Sequence, residues 1–392
     1  MVIERDLTPR LRKAAREFPA VTLTGPRQSG KSTLCREVFP KLEYVSLEAP
    51  DIRTFAVDDP RGFLAQFPKG AVIDEVQRAP DLPSYLQGII DDDPKPGRWI
   101  LTGSQNLSLL ESVNQSLAGR TAVLNLLPLS RTEVARFKRH PKALDESLLS
   151  GGYPRIFDKR LDPSEWLASY VATYLERDVR TITNVGDLST FQRFVELCAG
   201  RTGQLLNYSA LAGDCGITQP TAKAWLSVLE TSFVAFRLQP FHSNLRKRLV
   251  KMPKLHFYDS GLACWLLGIR EASQLRSHPL RGAIFESWVV SEILKRRTNR
   301  GESRGVSFYR DRDGVEVDVV VEHTDRLELV EAKSAETASS SLFAAGERVK
   351  GHLESGPLPC DVVAVYGGDR GQRRSDASLV PWSGVGDRSW ER

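Results

Sequence analysis

The chain predicts an α/β protein, with a P-loop-type parallel sheet between helices, then a helical middle region, then a second and smaller α/β domain. Three observations carry this expectation. The β-branched run 21–23 leads straight into Gly25-x-x-x-x-Gly30-Lys31-Ser32. Four further apolar runs of strand length, at 42–47, 71–75, 99–102 and 121–127, alternate with helical patterns before a break at Pro128. Near the C-terminus three alternating runs, at 306–310, 316–321 and 327–333, read as a meander behind a helix with one apolar face.

Length and composition set the bounds. At 392 residues the chain exceeds one ordinary hydrophobic core, so two or three domains are expected. With 41% hydrophobic and 26% charged residues it has the make-up of a globular protein, and no apolar run approaches the length of a membrane span. No membrane partner is expected, and with no signal-peptide core in its first residues the expected location is cytoplasmic. Cys35, Cys198, Cys215, Cys264 and Cys360 are odd in number and lack C-x-x-C spacing, which argues for buried thiols over disulfides or structural zinc. The net charge of +5 is mild.

The first motif is phosphate chemistry. Gly25 permits a sharp turn after the strand, and Gly30 lets the backbone approach a phosphate closely. Pro26, Arg27, Gln28, Ser29 and Thr33 complete a cradle whose amides, with the helix N-terminus beginning near Lys31, attract the polyphosphate of ATP. Lys31 is placed to reach the β- and γ-phosphates, and the Ser32 hydroxyl to ligate Mg²⁺. The run 71–75 (Ala-Val-Ile-Asp-Glu) ends in two acids, as a Walker B strand does. Asp74 is the candidate for the Mg²⁺ shell and Glu75 for orienting the attacking water. After the strand 99–102 come Ser104 and Asn106, which are candidates for touching the γ-phosphate or the water and equally good candidates for a helix cap. Arg120, in Leu-Ala-Gly-Arg, is either an arginine finger, which implies self-association into a homo-oligomer, or a surface arginine. Residues 4–17 read as an exposed basic helix before the first strand, and 61–67 as a further helix.

Taken together, the stretches 24–31, 73–77, 101–104 and 117–120 resemble a bacterial and archaeal group of AAA+ ATPases that carry a C-terminal nuclease-like domain. The resemblance covers residues 10 to about 365. It implies an ATP-binding and ATP-hydrolysing AAA+ module that uses Mg²⁺, and a second domain that acts on or holds another macromolecule.

In the middle region, 164–185 has helical spacing with Tyr170, Tyr174 and Leu175, and 204–238 reads helix, turn, helix, strand. That is the layout of a winged helix-turn-helix, with 219–229 as candidate recognition helix and Thr218, Gln219, Thr221 and Lys223 facing DNA. The following run 241–256 holds Arg246, Lys247, Arg248, Lys251 and Lys254 with no acid, which is either a phosphate-contacting hairpin or a solvated charge run.

The C-terminal set Glu286, Asp318, Glu331 and Lys333 resembles the PD-(D/E)xK nuclease fold. By that resemblance Glu286, Asp318 and Glu331 bind a second Mg²⁺ or Mn²⁺, and Glu331 with Lys333 acts catalytically on DNA. The competing reading is a charge cluster across strands, and the competing function is an ATP-dependent switch that binds a partner without cutting. The expected division is an ATPase domain at 1–135, a helical and winged-helix region at 136–270, a nuclease-like domain at 271–370 and a disordered tail at 371–392.

Overall fold

The computed structural model describes residues 2–104, 116–175, 188–241, 251–302, 304–353, 356–374 and 377–390, without the side chains of 174 and 175. Two compact units emerge. The first comprises Met1–Pro128 with Thr231–Phe233 and Thr298–Gly301, and the second comprises Leu129–Glu230, Val234–Arg297 and Glu302–Arg392.

The first unit is built on five parallel strands: β1 (Ala20–Thr24), β2 (Glu43–Ser46), β3 (Ala71–Asp74), β4 (Trp99–Thr102) and β5 (Thr121–Asn125). They lie in the order β2-β3-β4-β1-β5. Strands β1, β3 and β4 are buried along their whole length, because helices cover both faces of a parallel sheet. One core gathers Phe63, Leu82, Leu86, Ile73 and Leu101. Another gathers Leu7, Leu11, Leu23, Leu34 and Ile100. Helix α1 (Thr8–Glu17) is therefore more than a solvated basic segment, since Leu11 and Ala14, three residues apart, are buried on one face while Arg12 and Arg16 are exposed. The polar stretch after β2 also forms a helix, α3 (Pro50–Asp58), following α2 (Lys31–Val38). A proline at its first turn costs no hydrogen bond there.

The second unit carries two sheets. The smaller runs β6-β8-β7, from β6 (Gln204–Leu205), β7 (Ala235–Leu238) and β8 (Lys254–Phe257), all antiparallel. Between β6 and β7 stand the helices Tyr208–Cys215 and Gln219–Thr231, joined through Gly216 in the left-handed region. The predicted helix at 164–185 is regular only over Pro163–Tyr170 and then passes through a π-helical turn, Val171–Leu175; residues 176–178 of the motif noted there lie outside the described residues.

The larger sheet runs β13-β14-β12-β11-β10-β9. Strands β9 (Val306–Arg310), β10 (Glu316–Glu322) and β11 (Leu327–Lys333) form the predicted antiparallel meander. Strand β12 (Cys360–Tyr366) then joins β11 in parallel, across a connection that contains the helix Ala344–Leu353. The helix Arg281–Arg300 packs Phe285, Trp288, Val289 and Ile293 into a core shared with Leu148, Phe236, Val319, Val363 and Trp382. Middle and C-terminal segments thus share one hydrophobic core.

The expected disordered tail is corrected by the structure. Strands β13 (Gln372–Arg373) and β14 (Ala377–Pro381) extend the sheet past β12, with Val363 beside Ser378 and Val365 beside Val380. Trp390 is fully buried, its indole N–H donates to the Val385 carbonyl at 2.6 Å, and Arg297 donates to its own carbonyl at 2.7 Å. A Gly-, Arg- and Ser-rich composition hid a few well-placed apolar residues. All five cysteines are buried, and none is in a disulfide.

Candidate functional sites

In the first unit the predicted residues meet at the carboxyl ends of β1, β3 and β4. Gly25 has φ 144°, and a Cβ there would collide with the Leu126 carbonyl oxygen, so glycine is required by space as well as by backbone. Gln28 (φ 63°) and Gly30 (φ 95°) complete the reversal, and α2 begins at Lys31. Lys31 is buried, and its ammonium donates to the carbonyls of Gly25 at 2.9 Å and Pro26 at 2.8 Å. Burial lowers its pKa to about 8, against the opposing pull of Glu75 and Asp74. Ser29 is buried within the loop, while Gln28 and Thr33 are exposed.

Asp74 is the hub. Its carboxylate accepts from the Ser32 hydroxyl at 2.8 Å, from the Tyr44 hydroxyl and from the Thr102 hydroxyl. Glu75 follows in the left-handed region (φ 57°), a conformation that costs a non-glycine residue roughly 1–2 kcal/mol. Its carboxylate accepts from Gln77 and, at 3.2 Å, from the buried Ser104. Because β4 lies between β1 and β3, Thr102 and Ser104 emerge between the loop and the two acids. Hard oxygen donors beside a phosphate-type loop suit Mg²⁺, and Ser32 with Asp74 are the pair placed to hold it.

Two further candidates remain. Asn106 lies outside the described residues. Arg120 is held in a two-point contact with Asp91, Nε to Oδ1 at 2.5 Å and Nη2 to Oδ2 at 2.9 Å. Sequence reasoning missed three contributors. Arg5 is buried and donates to the carbonyls of Ser29 at 2.6 Å and Leu127 at 2.8 Å, bracing the loop from the N-terminal segment. Tyr44 and Thr102 complete the shell of Asp74. Only Thr102, at the end of an apolar strand, had a sequence signal.

In the second unit Asp318, Glu331 and Lys333 come together. Lys333 stands 2.7 Å from Glu331 and 3.5 Å from Asp318, and the Ala332 amide donates to Asp318 at 2.9 Å. An irregularity between Val317 and Val320, where β10 slips against β9, re-aims the strand at Asp318. Glu286 reaches this set through a residue that was assigned elsewhere. Lys254, counted with the basic hairpin, is only 2% exposed; its ammonium is 2.8 Å from Glu286 and 3.9 Å from Asp318 and also contacts Glu316. The expected phosphate-facing role of Lys254 is corrected by that burial. Arg246, Lys247 and Arg248 lie outside the described residues. Burial pushes Glu286 up to about 8, with Asp318 adding to it, and does the same to Glu331. Burial alone would discharge Lys254, but Glu286, Asp318 and Glu316 outweigh it and hold its pKa above the usual lysine value. Among the described residues no group of acids, histidines or cysteines is arranged to hold a metal ion. With an ammonium among these carboxylates, the set does not fit the second divalent ion expected from the sequence.

On the helix Gln219–Thr231, Gln219 and Lys223 are exposed and Thr221 is half-buried, as is required of a face that meets a partner. No described helix is long and apolar enough to cross a membrane.

Residues 17–135 match the model of an AAA domain, 141–273 that of a domain of unknown function, DUF8612, and 281–384 that of another, DUF4143. The chain is 32% identical to uncharacterized protein Rv2008c of Mycobacterium tuberculosis, over 87% of this chain and 76% of that protein. It is 21% identical to uncharacterized protein MJ1544 of Methanocaldococcus jannaschii, over 76% and 70%. Among solved structures, the Walker-type ATPase of Pyrococcus abyssi aligns with a TM-score of 0.45 at 16% identity, over 68% of this chain and 96% of that one.

Proposed function

This chain belongs to the same family as the mycobacterial protein Rv2008c, its first unit is an AAA-type P-loop ATPase domain, and we propose that it works as an ATP-driven switch. One observation carries the reading: Asp74 gathers the hydroxyls of Ser32, Tyr44 and Thr102 beside the Lys31 loop. In this reading the loop 25–33 binds the polyphosphate through its backbone and Lys31. Ser32 and Asp74 would hold Mg²⁺, which would supply positive charge against the negative phosphates. Glu75 orients the attacking water and draws its proton as the bond to the γ-phosphorus forms and ADP leaves. Ser104, already bonded to Glu75, senses the γ-phosphate. Arg120 is given no part in the step.

For the second unit, nucleotide occupancy sets how it holds DNA, with the helix Gln219–Thr231 and exposed Lys223 as the contact. The acids of the PD-(D/E)xK-like set are given a structural role, because Lys254 neutralises them. The test is to incubate the protein with supercoiled plasmid, ATP and Mn²⁺ while measuring phosphate release. Phosphate release with the plasmid left intact is expected. Nicking or linearisation lost in Asp318→Ala would show a metal-dependent nuclease instead.

A further inference from the structure

Four carboxylates stand in one place in the second unit: Glu286 from a helix, Glu316 and Asp318 from β10, and Glu331 from β11. As they stand the acids are not arranged as a metal-ion site, but so much carboxylate oxygen in one place draws a cation. The chain supplies its own cation. Lys254 enters from β8, nearly sealed from solvent, with Glu286 at 2.8 Å, Glu316 in contact and Asp318 at 3.9 Å. Its position is fixed from several sides. Strand β8 is paired with β7 over its length and with β6 at Lys254 and Leu255, and the Phe308 ring lies 5.4 Å from the ammonium. Lys333 covers Glu331 and the other oxygen of Asp318, and Arg310 covers Glu316 at 2.6 Å.

We infer that Lys254 acts as a built-in counter-ion that takes the place of a divalent metal in this carboxylate set. The physical reason is competition for the same oxygens. A divalent ion at Glu286 and Asp318 would put two more positive charges within a few ångströms of an ammonium that has no water to retreat into. The lysine needs no uptake from solution and cannot diffuse away. Removing its charge, with the stem kept, should therefore leave the acids free to bind a metal. The inference does not rest on ATP hydrolysis by the first unit.

The experiment counts bound Mn²⁺ by its electron paramagnetic resonance signal in nucleotide-free, full-length protein, alongside thermal melting with and without Mn²⁺. Wild type should show no saturable site, and Lys254→Met about one per chain, with a melting temperature that Mn²⁺ raises. Lys254→Met combined with Asp318→Ala should lose that site, and Lys254→Arg should gain none. Lys254→Gln serves as a second neutral variant if the methionine variant does not fold. A wild-type site lost in Asp318→Ala would overturn the inference, and so would a folded neutral variant that takes up no Mn²⁺. Phosphate release, followed separately, reports on the first unit alone.

Discussion

Two lysines in this molecule are almost equally sealed from water, Lys31 at 6% exposure and Lys254 at 2%, yet their affinities for a proton are driven in opposite directions. Lys31 donates to two neutral carbonyls, so burial wins and its pKa falls to about 8. Lys254 touches carboxylates directly, and their combined field overcomes the same burial. The acids differ in the same way. Asp74 is satisfied by three hydroxyls, neutral donors that can turn towards another partner at small cost. The acids around Lys254 are neutralised by a fixed charge. A site poised to exchange ligands and a site closed upon itself can thus be built from the same two residue types.

The comparison can be broken at either end. The largest effect is expected at Glu75→Gln, which keeps the hydrogen bonds to Ser104 and Gln77 within reach but removes the charge. Turnover should fall on the order of 10²-fold or more with ATP binding retained, as read by phosphate release and calorimetry. An unchanged rate would remove Glu75 from the step. Next, Lys254→Met should lower stability by about 3 kcal/mol at pH 7, because it leaves buried acids without their cation. Denaturant melts should show the loss growing as the pH rises through about 8, where Glu286 and Glu331 give up their protons. A variant as stable as wild type at pH 7 would mean that the lysine is not neutralising them.

The pH behaviour of Lys31 sharpens the contrast. Its folded pKa, about 8, lies below the ordinary lysine value, so between those two pH values the unfolded chain holds the extra proton and stability rises with pH. Nucleotide binding in the same window must return that proton. Calorimetry at pH 8.5–9 in buffers of different ionisation enthalpy should then show proton uptake in wild type and none in Lys31→Arg. Absence of uptake in wild type would refute the account of that lysine. The smallest effect belongs to Arg120→Ala, for which the rate of hydrolysis should not change, since Asp91 already holds the guanidinium. A drop on the order of 10³-fold would restore it as a finger.

The legible parts of this protein were those where one local pattern forces one geometry. The loop from Gly25 to Ser32, the acidic end of β3 and the meander from β9 to β11 follow from glycine conformations, apolar runs and alternation. What stayed hidden depends on distance along the chain. Arg5 meets Ser29 and Leu127, and Lys254 meets Glu286 and Glu316, through folding alone. Basic neighbours in sequence make Lys254 look like a surface charge, whereas every residue of β8 is buried, Lys254 included. The tail misled for a related reason. Trp382 and Trp390 are sparse among glycines and arginines, but each fills core space that only the completed sheet defines.

The most direct test of the central claim is titration of the full-length protein with a non-hydrolysable ATP analogue and Mg²⁺, in wild type and Lys31→Ala. Saturable binding at about one nucleotide per chain in wild type, abolished in a folded Lys31→Ala variant, is the predicted result. Wild type that binds no nucleotide, or a variant that binds as tightly as wild type, would contradict it.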